Sequence, residues 1–209
     1  MMIVDAHTHN PQAQDALIAC DPMEFCPHEG RLYSVGIHPW KTADVMADRL
    51  QALAAVARHE QVVAIGETGL DALRGAPFNV QWDIFNRHIE LAEALGKPLI
   101  VHMVRTSQQV LKAWRESGRA VAWVIHGMRG KPQVARPLLD AGFYLSFGPR
   151  FNPDTAAITP LEQMLIETDD SGAVIDDVAS AVAKARSTSV GNILDIATAN
   201  ATRLFLGTE

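Results

Sequence analysis

Short apolar runs rich in β-branched residues alternate along this chain with longer segments of helical periodicity, the pattern of βα units that feed a parallel sheet. Eight runs can be read: Met2–Val4, a weaker Ala16–Cys20, Leu32–Ile37, Val62–Ile65, Leu99–Val101, Val121–Ile125, Phe143–Phe147 and Met164–Ile166. They are continuous rather than alternating, as strands covered on both faces should be, and their number predicts an α/β fold of the (β/α)8 TIM-barrel type. Helices are predicted over Asp44–His59, with Val45, Leu50, Leu53 and Val56 on one stripe, and over Gln81–Leu95, with Ile84, His88, Leu91 and Leu95. Gly96 and Pro98 should stop the second. Ser107–Glu116, Pro132–Ala141 and Gly172–Ser187 read the same way, and Val190–Leu206 reads as one or two closing helices.

Between His9 and Leu32 the punctuation by Pro11, Pro22, Pro27 and Gly30 leaves no room for two helices, so the first two repeats should have reduced helical cover. At 209 residues the chain is short for an eightfold barrel, which takes about 250, and part of the shortfall lies here. Length and a 48% hydrophobic composition predict a single domain over 1–209. The start of the chain has no basic segment followed by a long apolar one, no later run reaches a membrane span, and Cys20 and Cys26 read as thiols. These features predict a cytoplasmic protein with no membrane contact, and none calls for an obligate protein partner. A net charge of −6 argues against the broad basic surface of a sequence-independent nucleic-acid binder.

The residues that follow each apolar run change the picture, because a parallel barrel takes its catalytic groups from the C-terminal ends of different strands. After the first run come Asp5, His7 and His9; after the third, His38; after the fourth, Glu67 and Asp71; after the fifth, His102; after the sixth, His126; after the eighth, Asp169. Five of the eight histidines collect at these positions. The spacing of His7 and His9 lets both point to one side of an extended segment and address one ion. Four imidazoles plus carboxylates exceed what one open catalytic ion needs and suit two, with Glu67 as a bridging candidate. Nitrogen and oxygen donors without thiolate favour zinc or manganese, with magnesium possible.

Asp5-Ala-His7-Thr-His9, Gly36-Ile-His38-Pro39, Gly66-Glu67-Thr-Gly69-Leu70-Asp71, Val101-His102, Ile125-His126-Gly127, Glu167-Thr168-Asp169 and Asn200-Ala201-Thr202-Arg203-Leu204-Phe205 together resemble the TatD-like metal-dependent hydrolases, in an order that runs nearly the whole chain. The resemblance implies a barrel with two divalent ions, the first held by His7, His9, Glu67 and Asp169 and the second by Glu67, His102 and His126. It further implies hydrolysis of phosphodiester bonds in DNA, often from an end, by a metal-activated water, with Asp169 as general base and Glu67 also in the catalytic set. The chain departs from the family pattern in having His126-Gly127-Met128-Arg129-Gly130 where many members have His-Cys-Phe-Ser-Gly. It also carries Arg105 three residues after His102 rather than a basic residue two after, and Asp169-Asp170-Ser171-Gly172 leads almost directly into a helix, so a rim loop is shortened.

Arg74, Arg105, Arg129, Lys131 and Arg150 all follow strands, and arginine suits bidentate contact with phosphate. Arg105 and Arg129 are the first candidates for substrate binding, together with His38, which could instead support a ligand. The expected partner is a phosphate-bearing small molecule or a DNA end. Asp71 is expected to fix the loop carrying Glu67, and Asp5 to be structural or to support a ligand. Trp40 and Phe151 are expected to cover the rim, although either could stack on a base. His28, His59 and His88 are placed on loop and helix surfaces without a site role. Two alternatives stay open: hydrolysis of an amide, lactone or phosphate monoester by the same metals, and a non-catalytic metal-binding barrel.

Overall fold

The computed structural model of the protein describes residues 2–44 and 47–207, so Val45 of the first predicted helical stripe lies outside the described residues. Eight strands follow one another in the sheet in chain order, β1 (Asp5–Thr8), β2 (Ala16–Cys20), β3 (Leu32–Val35), β4 (Val62–Asp71), β5 (Leu99–Val104), β6 (Trp123–Ile125), β7 (Tyr144–Phe147) and β8 (Met164–Ile166). This is the parallel order of the (β/α)8 TIM-type fold. Two compact units can be distinguished, Met1–Ile18 with Val124–Glu209, and Ala19–Trp123.

In the first unit the chain segment following β8 returns to β1. The Asp169 amide donates to the His7 carbonyl at 3.0 Å and the His9 amide donates to the Asp169 carbonyl at 3.1 Å, so the first and last strands meet. Helices α4 (Pro132–Asp140), α5 (Pro153–Ile158), α6 (Ile175–Arg186) and α7 (Val190–Leu206) belong to this unit. The Ser189 side chain caps α7 and a left-handed Gly207 ends it. Its buried stripe of Ile193, Ala197, Ala201 and Phe205 makes Val190–Leu206 one helix. Asn200 on that stripe donates to the carbonyls of Leu161 and Met164, which fixes the entry to β8. The sequence pattern missed α5, which is six residues long, too short for a helical period to register. Its start is nevertheless written in Asn152, whose side chain accepts from the Thr155 amide, and in Pro153 at the first helical position.

Strand boundaries move from their expected places at β1, β3, β4, β5, β6 and β7, and the moves at β1, β4 and β5 bear on the site. The first apolar run was expected to form the strand at Met2–Val4, but β1 is Asp5–Thr8. Pairing sets the strand here: the ladder with β2 opens at Asp5 opposite Ala16, while the Val4 amide bonds the Asp15 carbonyl at 2.7 Å. His7 therefore lies within the strand.

The second unit holds β3, a 3-10 turn at Pro39–Asp44, α1 (Ala47–Val56), β4, α2 (Phe78–Leu95), β5 and α3 (Ser107–Glu116). Strand β4 runs six residues past its expected end because Thr68–Asp71 pairs in register with Val101–Val104 of β5. Glu67 and His102 thus stand on paired strands rather than in loops. A Cβ at Gly69, where φ is 136°, would collide with the His102 carbonyl oxygen, so only glycine lets the two strands close at this point. Helix α2 ends at Gly96, left-handed at φ 64°, where the sequence placed its stop. The connections at 9–15 and 21–31 carry no helix, as expected of the first two repeats.

His88 was expected on a surface and is fully buried on α2. Its Nε2 accepts the Ile37 amide at 2.9 Å, which leaves Nδ1 to donate to the Ile84 carbonyl at 2.7 Å. Burial pushes its pKa down to about 4, so the ring is neutral and serves as a structural clamp on the end of β3. No helix among the described residues is long and apolar enough to cross a membrane.

Candidate metal centre

In the first unit, His7 on β1 and His9 just beyond it both face the carboxylate of Asp169, with Nε2 atoms 3.9 and 3.7 Å from Oδ1. His7 is buried and His9 is 44% exposed, so the group opens to solvent on one side. The Asp169 backbone is left-handed at φ 57°, held in place by the seam with β1. His126, directly after β6, stacks its ring 4.4 Å from that of His7. The guanidinium of Arg129 reaches within 3.8 Å of Asp169 Oδ2 while more than half exposed.

Glu167, to which the sequence motifs assign no role, belongs to this group. It is fully buried; Oε1 accepts the Gly127 amide at 2.6 Å and lies 3.4 Å from His126 Nδ1. Its other oxygen is buried without a hydrogen-bond partner among the described residues. A buried carboxylate oxygen in that condition is costly, and a cation nearby would satisfy it. The signal was present in the chain as an acidic residue directly behind the apolar run 164–166. Asp5 is buried and bonded to Thr168, which lies between Glu167 and Asp169. It accepts the Thr168 amide at 3.0 Å and the Thr168 hydroxyl at 2.6 Å, and burial, outweighing those bonds, pushes its pKa up to about 7.

In the second unit, Glu67 Oε1 lies 2.8 Å from His102 Nδ1 and 3.0 Å from His38 Nε2. His38 Nδ1 accepts the Trp40 amide at 3.1 Å, so in the neutral ring Nε2 carries the proton and donates to Glu67. That makes His38 a partner of the carboxylate. His102 Nε2 is 3.1 Å from Asp71 Oδ2, which also accepts Trp40 Nε1 at 2.6 Å. Burial acts to raise the Asp71 carboxyl, but the bonds from Trp40, the Leu73 amide and His102 prevail and hold it below its ordinary value. Glu67 stands on β4 rather than on a loop, and the segment Asp71 fixes is the one after the strand: Oδ1 accepts the amides of Leu73 and Arg74, and Gln81 of α2 ties the carbonyls of Asp71, Arg74 and Ala76.

Sets of three donors with ligand atoms within 4.8 Å of one another recur here: His7, His9 and Asp169; His126, Glu167 and Asp169; His38, Glu67 and His102. All are imidazole nitrogens and carboxylate oxygens, a donor chemistry that fits divalent zinc or manganese. Of the arginines named from the sequence, Arg129 joins such a group. Arg105, exposed behind β5 at φ 56°, has no hydrogen-bond or ion-pair partner for its side chain among the described residues. Phe151 packs on Phe147 at 5.8 Å and covers the rim, while Trp40 stays 46% exposed.

The family model described as TatD related DNase matches residues 27–206. The chain belongs to this family. It is 30% identical to the metal-dependent hydrolase YabD of Bacillus subtilis over 88% of this chain and 81% of that one. Among solved structures, the TatD homologue YjjV of Escherichia coli K12 superposes with a TM-score of 0.84 at 22% identity, covering 98% of each chain. The phosphotriesterase homology protein of Escherichia coli, complexed with phosphate in its active site, superposes with a TM-score of 0.61 at 14% identity over 83% of this chain and 74% of that one. These matches place the fold among TIM-type barrels and the chain among TatD-related metal-dependent hydrolases.

Proposed function

We propose that this TatD-family hydrolase cleaves phosphodiester bonds with two divalent ions, zinc or manganese before magnesium, one held by His7, His9 and Asp169 and one by Glu67 and His102. The observation that carries the reading is the placement of Arg129 beside the carboxylate that His7 and His9 face, which sets a phosphate-binding cation against an ion-binding group. The ions would supply Lewis acidity, lowering the pKa of water and offsetting charge on phosphoryl oxygens. Asp169 accepts the proton of the attacking water, Arg129 orients a phosphoryl oxygen, and Glu167 and Asp71 hold the rings of His126 and His102. Arg105, exposed and without a side-chain partner among the described residues, is assigned to another part of the substrate. A DNA end or a small phosphodiester fits this set, and the phosphate in the active site of the phosphotriesterase homology protein is consistent with an anionic substrate on such a barrel.

The test joins metal analysis to a substrate panel. The expected result is about two ions per chain and turnover of bis-p-nitrophenyl phosphate that is lost with chelator and in Glu67→Ala. The short connection between Asp169 and α6 supports a second reading, hydrolysis of a compact amide, lactone or phosphate monoester. Metal-loaded protein that ignores phosphodiesters and opens one of those bonds establishes that reading instead.

A further inference from the structure

We propose that Trp40, together with Arg74, forms a stacking seat for a planar aromatic group, such as a nucleobase, carried next to the scissile phosphodiester. The proposal rests on the phosphodiesterase reading and names the part of the substrate that the second unit recognises. Trp40 is the informative kind of exposed residue, a large aromatic left 46% open on a rim. Its openness is not looseness. The indole Nε1 donates to Asp71 Oδ2 at 2.6 Å, and the same oxygen lies 3.1 Å from His102 Nε2, so one carboxylate fixes the indole and a metal-ligating ring relative to each other. The Trp40 ring lies 5.9 Å from that of His102 and 4.8 Å from that of His38.

Arg74 completes the seat. Its guanidinium sits 4.5 Å from the centre of the Trp40 ring, while its amide donates to Asp71 Oδ1 at 3.2 Å and its carbonyl accepts from Gln81 Nε2 at 2.9 Å. The backbone is thereby pinned and the charged end stays at the surface. A guanidinium laid on an indole presents a cation and a π-face side by side, which suits a base and its neighbouring phosphate. Every base offers a π-face, so the seat would favour aromatic leaving or entering groups without reading sequence. A Trp40 that only shielded the rim would need neither the fixed indole nor the arginine.

The experiment measures kcat and KM of the metal-loaded full chain on thymidylyl-thymidine and on the two analogues in which one or the other nucleoside lacks its base. Wild type should show a KM for the dinucleotide about tenfold below that for at least one abasic analogue. Trp40→Ala should raise the dinucleotide KM about tenfold and change the abasic KM by less than about twofold, lowering kcat alike on both because Asp71 loses an anchor. Trp40→Phe keeps a stacking face and should keep the preference while sharing the lower kcat. Arg74→Ala should raise KM for all three substrates. Equal KM changes on base-bearing and abasic substrates in Trp40→Ala overturn the seat and leave the phosphodiesterase reading standing. Wild type that cleaves none of the three overturns the phosphodiesterase reading instead. In that event calorimetry with thymidine 5′-monophosphate and deoxyribose 5-phosphate decides the seat: a preference for the former that Trp40→Ala abolishes supports it, and equal binding of both overturns it.

Discussion

The Nε2 of His102 lies 3.1 Å from Oδ2 of Asp71, while its Nδ1 lies 2.8 Å from Oε1 of Glu67. On the proposed reading, Nε2 of the metal-loaded protein donates to Asp71, and Nδ1 and Glu67 Oε1, 2.8 Å apart, both turn their lone pairs to the ion. Asp71→Asn removes the charge that holds the ring in this tautomer. Zinc affinity should fall by about 10- to 100-fold, measured by competition with a chromophoric chelator. Unchanged affinity would show that His102 is oriented by Glu67 alone.

Glu167 should trade stability against metal. Its second oxygen has no partner among the described residues, and Glu167→Gln removes the buried charge while an amide oxygen still accepts from Gly127, so the chelator-treated variant should be more stable by about 1–3 kcal/mol. The same change should weaken metal binding and shrink the thermal shift on adding zinc. Unfolding scans with and without zinc give both quantities, and a variant less stable in chelator than wild type contradicts the account.

His88 gives a signed pH dependence. Its folded pKa of about 4 lies below the ordinary 6.5, so between those values the unfolded chain binds a proton that the folded chain refuses. Stability is therefore lost on acidification through this window, by about 3 kcal/mol at its end. Asp5, pushed up from 3.8 to about 7, acts in the opposite sense over an overlapping range, so the difference between variants is the quantity to follow. His88→Gln can still accept from Ile37 and donate to Ile84. Urea unfolding from pH 7 to pH 4 should be less pH-dependent in this variant than in wild type.

Gly69→Ala should cost about 3 kcal/mol or more and weaken metal binding, because its Cβ meets the His102 carbonyl on the paired strand. Gly30 provides the comparison. It also has positive φ, 75°, but a Cβ there meets nothing within 4 Å, so Gly30→Ala should cost only about 1 kcal/mol. Equal losses in the two variants would mean that backbone conformation, not strand contact, makes Gly69 necessary.

The alternation of apolar runs and helical stripes was enough to read the strand order and most helices, since seven of the eight runs overlap a strand and the stripes lie on helices. Periodicity does not report where a ladder begins. Met2–Val4 is more apolar than Asp5–Thr8, yet ladder pairing with Ala16 and Ile18 on one side and bonding to Asp169 on the other make the latter the strand. His88 shows a second blind spot: a histidine on an apolar stripe is compatible with both surface and core, and only its two backbone partners decide. The histidines and acids behind the runs were legible because chemistry collects at strand ends. Glu167 was passed over because a carboxylate with no charged partner in the sequence looks like any other, and its burial arises from Gly127 and His126, forty residues away in the chain.

The seam between β1 and the segment after β8 carries one further consequence. His7 and His9 are spaced from Asp169 by main-chain bonds on either side of that residue, not by the connection that leaves it. The stretch from Asp170 to Val174 can therefore be lengthened, shortened or exchanged while the donor spacing stays put. On the proposed reading, the main-chain seam that spaces the donors is separate from the connection beside them, and a longer loop grafted at this point should change substrate preference while leaving zinc affinity as it is.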